Sequence, residues 1–242
     1  VSTGLALAAG AAGSTIRGIA VRNFADNGIV LDGSAGSTVQ GCVIQANGNG
    51  LRAAGTLTGA TVVGNTFTAN ANYGIQLYGA RGLWVDGNTV LGVNTSSSMG
   101  LYATGDLAGT RVTANTFSGG LRGALLDGAR NLAFGQIGRG NTLSNNLASP
   151  ANPQFSGTGL RGQGNLAGTV IAGNTATDNN YGFGFVAARN LVLRQNVITR
   201  NRAAGIYVEG DCRGSVQSGN VFGTRSNKNG TNISRTRGSR GL

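Results

Sequence analysis

Histidine is absent from this chain of 242 residues, and cysteine, lysine, methionine and tryptophan are nearly so. Without His, a zinc or haem centre has no donor set of the usual kind, and neither metal nor cofactor is expected. The two cysteines, Cys42 and Cys212, fall in the second and last repeats described below. Stacking at strand spacing would leave them roughly 34 Å apart, too far to bridge within one chain. Only eight residues are Asp or Glu, and they are scattered, so neither a calcium cage nor the close carboxylate pair of a glycoside hydrolase is evident. No apolar run is long enough to span a membrane. Helical spacing of apolar residues is also missing over any useful length.

What the chain has is glycine, 44 residues of it against two prolines. Collagen is excluded because no three-residue period exists, and disorder because the apolar residues alternate regularly. A glycine followed by an apolar-x-apolar triplet and a short turn recurs at Gly4, Gly28, Gly50, Gly74, Gly100, Gly123, Gly159, Gly182 and Gly205. These glycines are 22 to 26 residues apart, save one step of 36 between Gly123 and Gly159. A fixed period in this range means stacked repeats, because one such unit cannot bury its apolar face alone. Glycine is read here as marking turns.

Each period carries a second apolar stretch, as in STVQGCVI, ATVVGNTF, TRVTANTF and NLVLRQNVI. Alternation with a period of two, rich in Val, Ile, Thr and Phe, is a strand signature. The coil is therefore strand, turn, strand, turn, with a third short strand expected before the next glycine. An asparagine repeats in the second stretch at Asn65, Asn88, Asn115, Asn141, Asn174, Asn196 and Asn220. Asparagine tolerates left-handed backbone angles, and stacked amides can form a hydrogen-bonded ladder, so these residues read as structural. A two-coil period is superimposed: turns around Leu57, Leu107 and Leu166 alternate with turns around Arg81, Arg130 and Arg189. The leucines are expected to tuck into the rod at one kind of corner while the arginines line the other.

These repeats resemble the right-handed parallel β-helix proteins, the superfamily that includes pectate lyases, polygalacturonases, alginate epimerases and many phage tailspikes. The resemblance covers roughly residues 4 to 225 and implies an all-β fold, a single-stranded right-handed parallel β-helix of about nine to ten coils. Residues 1–225 would form the helix, with a loop insertion at about 139–157 that contains Pro150, Pro153, Gln154 and Phe155. Residues 226–242 would form a basic, partly disordered tail or a final partial coil. The short GLALAAGAAG start lacks a basic leader, and the first strand follows within a few residues, so the chain reads as a processed or excised piece of something longer.

Function must then lie on the outside of the rod. If Ile29, Leu31 and their equivalents point inward, the residues between them form outward columns on the first sheet. Their middle holds Arg52, Gln76, Tyr78, Tyr102, Asp127, Arg161 and Gln163. In polysaccharide-active β-helices, as the resemblance implies, this sheet floors the substrate groove. Tyrosine rings suit pyranose faces, and arginine pairs bidentately with a uronate carboxylate, so these seven are the candidate carbohydrate-binding residues. The plain alternative is that half-exposed strands carry Tyr, Arg and Gln on β-propensity alone. No catalytic residue is nominated. The histidine-containing motifs of polygalacturonases and alginate epimerases have no counterpart, and a proton-abstracting Tyr or Arg would need a lowered pKa.

The net charge of +11 is concentrated near the end, where ten cations from Arg189 to Arg240 face only Glu209 and Asp211. Such a field attracts polyanions, although without interleaved aromatics it is a weak case for nucleic acid. The sequence thus points to an extracellular or cell-surface scaffold or adhesive module that contacts an anionic or neutral polysaccharide. Neighbouring domains or copies stacked on the solenoid ends are the other partners expected. A polysaccharide lyase or uronate epimerase, and a filament or tailspike subunit, stay open as alternatives.

Overall fold

The computed structural model describes residues 2–92, 98–147 and 157–242, with the side chain of Arg225 excepted. Pro150, Pro153, Gln154 and Phe155 lie outside the described residues. Three parallel sheets wind round one core, ten-stranded, nine-stranded and nine-stranded, and each strand pairs with the equivalent strand one coil before and one coil after. The first-sheet strands number the coils in order: Thr3–Leu7, Asn27–Asp32, Asn49–Thr56, Tyr73–Arg81, Met99–Asp106, Arg122–Arg130, Thr158–Asn165, Tyr181–Arg189, Ala204–Glu209 and Ile233–Arg235. The tenth strand comes from within residues 226–242 and pairs with the ninth through Ile206 and Ile233.

Register converts sequence period into vertical contact. Ile29, Leu51, Ile75, Leu101, Ala124, Leu160, Phe183 and Ile206 are successive partners in the first sheet, and all are buried. The second sheet stacks Val39, Val62, Val85, Val112, Phe134, Ile171 and Leu193 in the same way, and the third stacks Ile44, Phe67, Val90, Phe117, Leu143, Ala176 and Ile198. Burial of each larger side chain contributes about 1.5–3 kcal/mol, and no coil has a core of its own. Cys42 and Cys212 are buried, unbridged members of this interior.

The second apolar stretch of each period is two strands, not one. In ATVVGNTF, Thr61–Val63 belongs to the second sheet and Thr66–Thr68 to the third, so the expected third strand is the latter half of that stretch. Except at Gly140, the residue preceding the asparagine takes the left-handed conformation, with φ of 61° at Gly64, 53° at Ala114 and 51° at Gln195. The asparagine itself turns inward. Nδ2 of Asn65 donates to Oδ1 of Asn88, and the pattern continues through Asn115, Asn141, Asn174, Asn196 and Asn220, at 2.9–3.0 Å per step. Each Oδ1 also accepts the backbone N–H of the preceding asparagine. Turn geometry at this corner belongs to its neighbour, and the asparagine supplies buried polar groups that satisfy one another.

A second ladder, with no counterpart in the sequence reading, occupies the corner between the third and first sheets. Asn47 donates to Asn70 at 3.1 Å, and Asn146, Asn179, Asn201 and Asn229 form a second run at 2.9–3.1 Å. The repeat glycines do not mark turns: a Cβ on any of them would lie 2.4–2.8 Å from a backbone carbonyl of the next coil, and in several coils the ladder crowds it as well. A Cβ on Gly28, Gly123, Gly182 or Gly205 would lie 2.8–2.9 Å from Nδ2 of Asn47, Asn146, Asn201 or Asn229. Close approach, not a left-handed backbone, excludes a side chain there. At the corner between first and second sheets, Leu57, Leu107 and Leu166 are buried, but so are Leu83, Leu132 and Leu191 from the other coil type. Arg81, Arg130 and Arg189 are exposed beside them.

Candidate functional site

The outward face of the first sheet is built from three columns. Arg52, Gln76 and Tyr102 are register partners, followed by Leu125, Arg161, Gly184 and Tyr207. Tyr78, Thr104, Asp127, Gln163, Val186 and Glu209 form the second column. The third was not read from the sequence. It is the residue before each repeat glycine, Tyr73, Met99, Arg122, Thr158 and Tyr181, brought outward by the bend that the glycine makes. The signal was available in the residue that immediately precedes each glycine of the period.

Five of the seven candidates form one connected cluster. The Arg52 guanidinium lies 5.5 Å from the Tyr78 ring centre, and Nε2 of Gln76 donates to Oη of Tyr78 at 2.8 Å. Tyr78 meets Tyr102 edge-on at 5.7 Å, Tyr73 packs on Tyr102 at 5.3 Å, and Oη of Tyr102 donates to Oδ2 of Asp127 at 3.4 Å. Gln76 is only 6% exposed, so it serves as a support beneath the tyrosines and not as a surface contact. Leu125, in the same outward column, is covered as well. Gln163 sits half-exposed in register with Asp127. Arg161 begins a second group with Tyr207, Glu209 and Tyr181, in which Oη of Tyr207 donates to Oε2 of Glu209 at 3.1 Å and the two tyrosine rings lie 5.3 Å apart. Gly184 lies between Arg161 and Tyr207 and leaves the column without a side chain at that coil.

The electrostatics are those of cations held partly out of water. Burial, and then the neighbouring Arg161 guanidinium, push Arg122 down to about 10, and its Nε is buried without a hydrogen-bond partner. Burial also lowers Arg161, against the opposing pull of Glu209 and Asp127. The tyrosines move the other way. Burial and then the Asp127 carboxylate raise Tyr102, and burial and then Glu209 raise Tyr207 to about 12. Neutral phenols and strained guanidiniums suit binding of an anion better than removal of a proton.

Comparison with known families accords with this architecture. A model for the right-handed β-helix region matches residues 91–239, and one described as periplasmic copper-binding protein (NosD) matches residues 2–149. The chain belongs to the NosD and right-handed β-helix families. Among solved structures, it is similar to tailspike protein 2 of Escherichia coli O157:H7 bacteriophage CAB120, at 14% identity and a TM-score of 0.65, covering 91% of this chain and 34% of that one. The A-module of mannuronan C-5 epimerase AlgE6 from Azotobacter vinelandii gives 15% and 0.55, over 90% of this chain and 57% of that one. The catalytic unit of a GH87 α-1,3-glucanase from Streptomyces thermodiastaticus gives 17% and 0.54, over 90% and 53%. This β-helix thus spans from about a third to just over half the length of these structures, and at such identities the likeness is one of fold. Comparison with curated proteins gives no match.

The copper named in the NosD description finds no fitting donors here. The chain has no histidine and a single methionine, Met99, and among the described residues no three His, Cys, Asp or Glu side chains group together. Among those residues, too, no helix is long and apolar enough to cross a membrane.

Proposed function

We propose that this β-helix is an extracytoplasmic scaffold or adhesive module that binds an acidic polysaccharide lengthwise along its first sheet. The observation that carries the reading is the placement of Arg122 and Arg161 on adjacent coils, half-buried and mutually repelling, beside the Tyr73, Tyr78 and Tyr102 cluster. A ligand carboxylate between the guanidiniums would relieve that repulsion with charge-assisted hydrogen bonds. The tyrosines offer ring faces to the sugars. Binding without turnover fits the acid-base inventory: the Tyr102 and Tyr207 phenols are held neutral, and Asp32 and Asp127 stand four coils apart, roughly 19 Å at strand spacing. The names of the similar structures, a tailspike, an epimerase and a glucanase, support a place outside the cytoplasm and a carbohydrate partner.

A panel of immobilised acidic and neutral glycans tests this directly. Retention of oligouronates by the wild-type chain is expected, with about tenfold weaker retention when Tyr78→Ala and Tyr102→Ala are combined. A blank panel overturns the binding reading, and release of unsaturated uronate ends from any acidic polymer overturns its non-catalytic part.

A further inference from the structure

The only tryptophan of the chain lies on a different face of the rod. Trp84 is 46% exposed on second-sheet strand Trp84–Asp86, in register with Thr61 before it and Arg111 after it. Its ring is fixed from several sides. Nε1 donates to Oγ1 of Thr113 at 3.1 Å, and that hydroxyl donates to Oδ1 of Asp86 at 2.6 Å. Arg139 reaches back to both oxygens of Asp86 at 2.7 and 2.6 Å, with its guanidinium 5.9 Å from the indole centre. An exposed aromatic held this firmly binds with little ordering cost.

Arg139 comes from an excursion of coil 6. Between Phe134 and Asn141 the chain runs Gly-Gln-Ile-Gly-Arg-Gly, where coil 3 needs only Val63 and Gly64 between Val62 and Asn65. The excursion walls a groove of about 450 Å³ whose lining includes Arg111, Thr113, Ala133, Gln136, Ile137 and Arg194. At Arg111 this groove meets a hollow of about 240 Å³ beside Trp84, lined by Gly59, Gly82 and Gly109 together with Ala60 and Thr61. From the coil of Thr61 to that of Arg194 is five strand spacings, about 24 Å. Neither Arg111 nor Arg194 enters an ion pair among the described residues, and both are exposed. With Arg139 they set three guanidiniums against the one carboxylate of Asp86.

We propose that this second-sheet groove is a separate site for an acidic oligosaccharide, with Trp84 as the stacking platform and Arg111 and Arg194 pairing with carboxylates along the chain. A glycan fits better than a nucleic-acid strand. Stacking of successive bases needs repeated aromatics, whereas here one aromatic is followed by a polar wall. The site shares no residue with the first-sheet cluster and does not depend on it.

Because Trp84 is the sole tryptophan, its fluorescence reports on this groove alone. Titration of the full chain with hexagalacturonate is expected to shift or quench the emission saturably, and maltohexaose is expected to leave it unchanged. Arg111→Ala with Arg194→Ala should weaken the response about tenfold or more, with the thermal midpoint unmoved because both side chains are exposed. Tyr78→Ala with Tyr102→Ala should retain it, which separates this site from the first-sheet reading. The proposal is overturned by no saturable change with hexagalacturonate, by an equal response in the double arginine variant, by an equal response to maltohexaose, or by a stronger response to a single-stranded hexanucleotide.

Discussion

Nδ2 of Asn141 donates to Oδ1 of Asn174 at 3.0 Å, although 33 positions separate them in the chain. The bond spans the one long step of the repeat, so the extra residues leave the ladder unbroken. Asn141 also accepts two bonds from Asn115 and donates to the Val112 carbonyl at 2.8 Å. Asn141→Ala would leave the Asn115 backbone N–H without its acceptor in a dry interior, while Asn115 Nδ2 keeps the Val85 and Thr113 carbonyls and Asn174 Oδ1 keeps the backbone N–H of residue 141, so the expected cost is about 2 kcal/mol. Asn141→Asp should cost at least as much, because its carboxylate has no donor for Asn174 or Val112. Urea unfolding monitored by circular dichroism measures both, and a loss below about 1 kcal/mol would show that the Asn115 N–H finds another acceptor.

Where the second ladder runs, it and the next coil's backbone crowd the repeat glycines together. A Cβ at position 182 would lie 2.5 Å from the Gly205 carbonyl, 2.7 Å from Ile198 Cγ2 and 2.8 Å from Asn201 Nδ2. Gly182→Ala should therefore cost about 3 kcal/mol through overpacking. Gly41 has open space around it and a φ of +60°, so Gly41→Ala should cost only the left-handed penalty of about 1–2 kcal/mol. Denaturation of the two variants side by side measures the difference. Equal losses would return glycine in this repeat to a conformational role.

The period, the three-sheet winding and the first asparagine ladder were legible because each rests on residues of one type recurring at one spacing. The split of the second stretch was hidden, since Val63-Gly64-Asn65-Thr66 keeps an apolar rhythm across a corner that the backbone turns. The second ladder was hidden for a different reason: Asn47, Asn70, Asn146 and Asn179 sit at variable distances from the next repeat glycine and are interrupted in the middle coils. On the first sheet, strict alternation located Arg52, Tyr78, Tyr102, Asp127 and Arg161. It missed Tyr73 and Arg122 because the bend at the glycine resets the alternation. It also placed Gln76 at the surface, where only register and the size of its tyrosine neighbours reveal that it is covered.

Arg122 couples stability to binding. Its guanidinium is half-buried, lacks a partner at Nε and faces Arg161, so the fold tolerates it at a cost. Arg122→Met keeps much of the volume and removes the charge. It should stabilise the rod at neutral pH by about 1 kcal/mol after allowance for solvent screening, while weakening retention of oligouronates. Chemical denaturation together with glycan binding checks the pair of outcomes. A destabilised variant would mean that the guanidinium is satisfied by groups that the geometry does not reveal.

Alkaline pH separates two half-buried groups whose shifts have opposite sign. Tyr207 is raised from 10.0 to about 12, chiefly by burial and then by Glu209. Below pH 10 the phenol is neutral in both states, so it adds no pH dependence. Between 10 and about 12 the unfolded chain has lost that proton while the folded chain keeps it, so stability falls as pH rises. Arg122, lowered to about 10, works the other way: above about pH 10 the folded chain releases its proton before the unfolded chain does, so this group makes stability rise with pH. Tyr207→Phe should therefore flatten the alkaline loss, and Arg122→Met should steepen it. Urea midpoints measured across this range read both slopes, and a Tyr207→Phe variant that declines as steeply as wild type would show that its phenol is not the group that holds its proton in the fold.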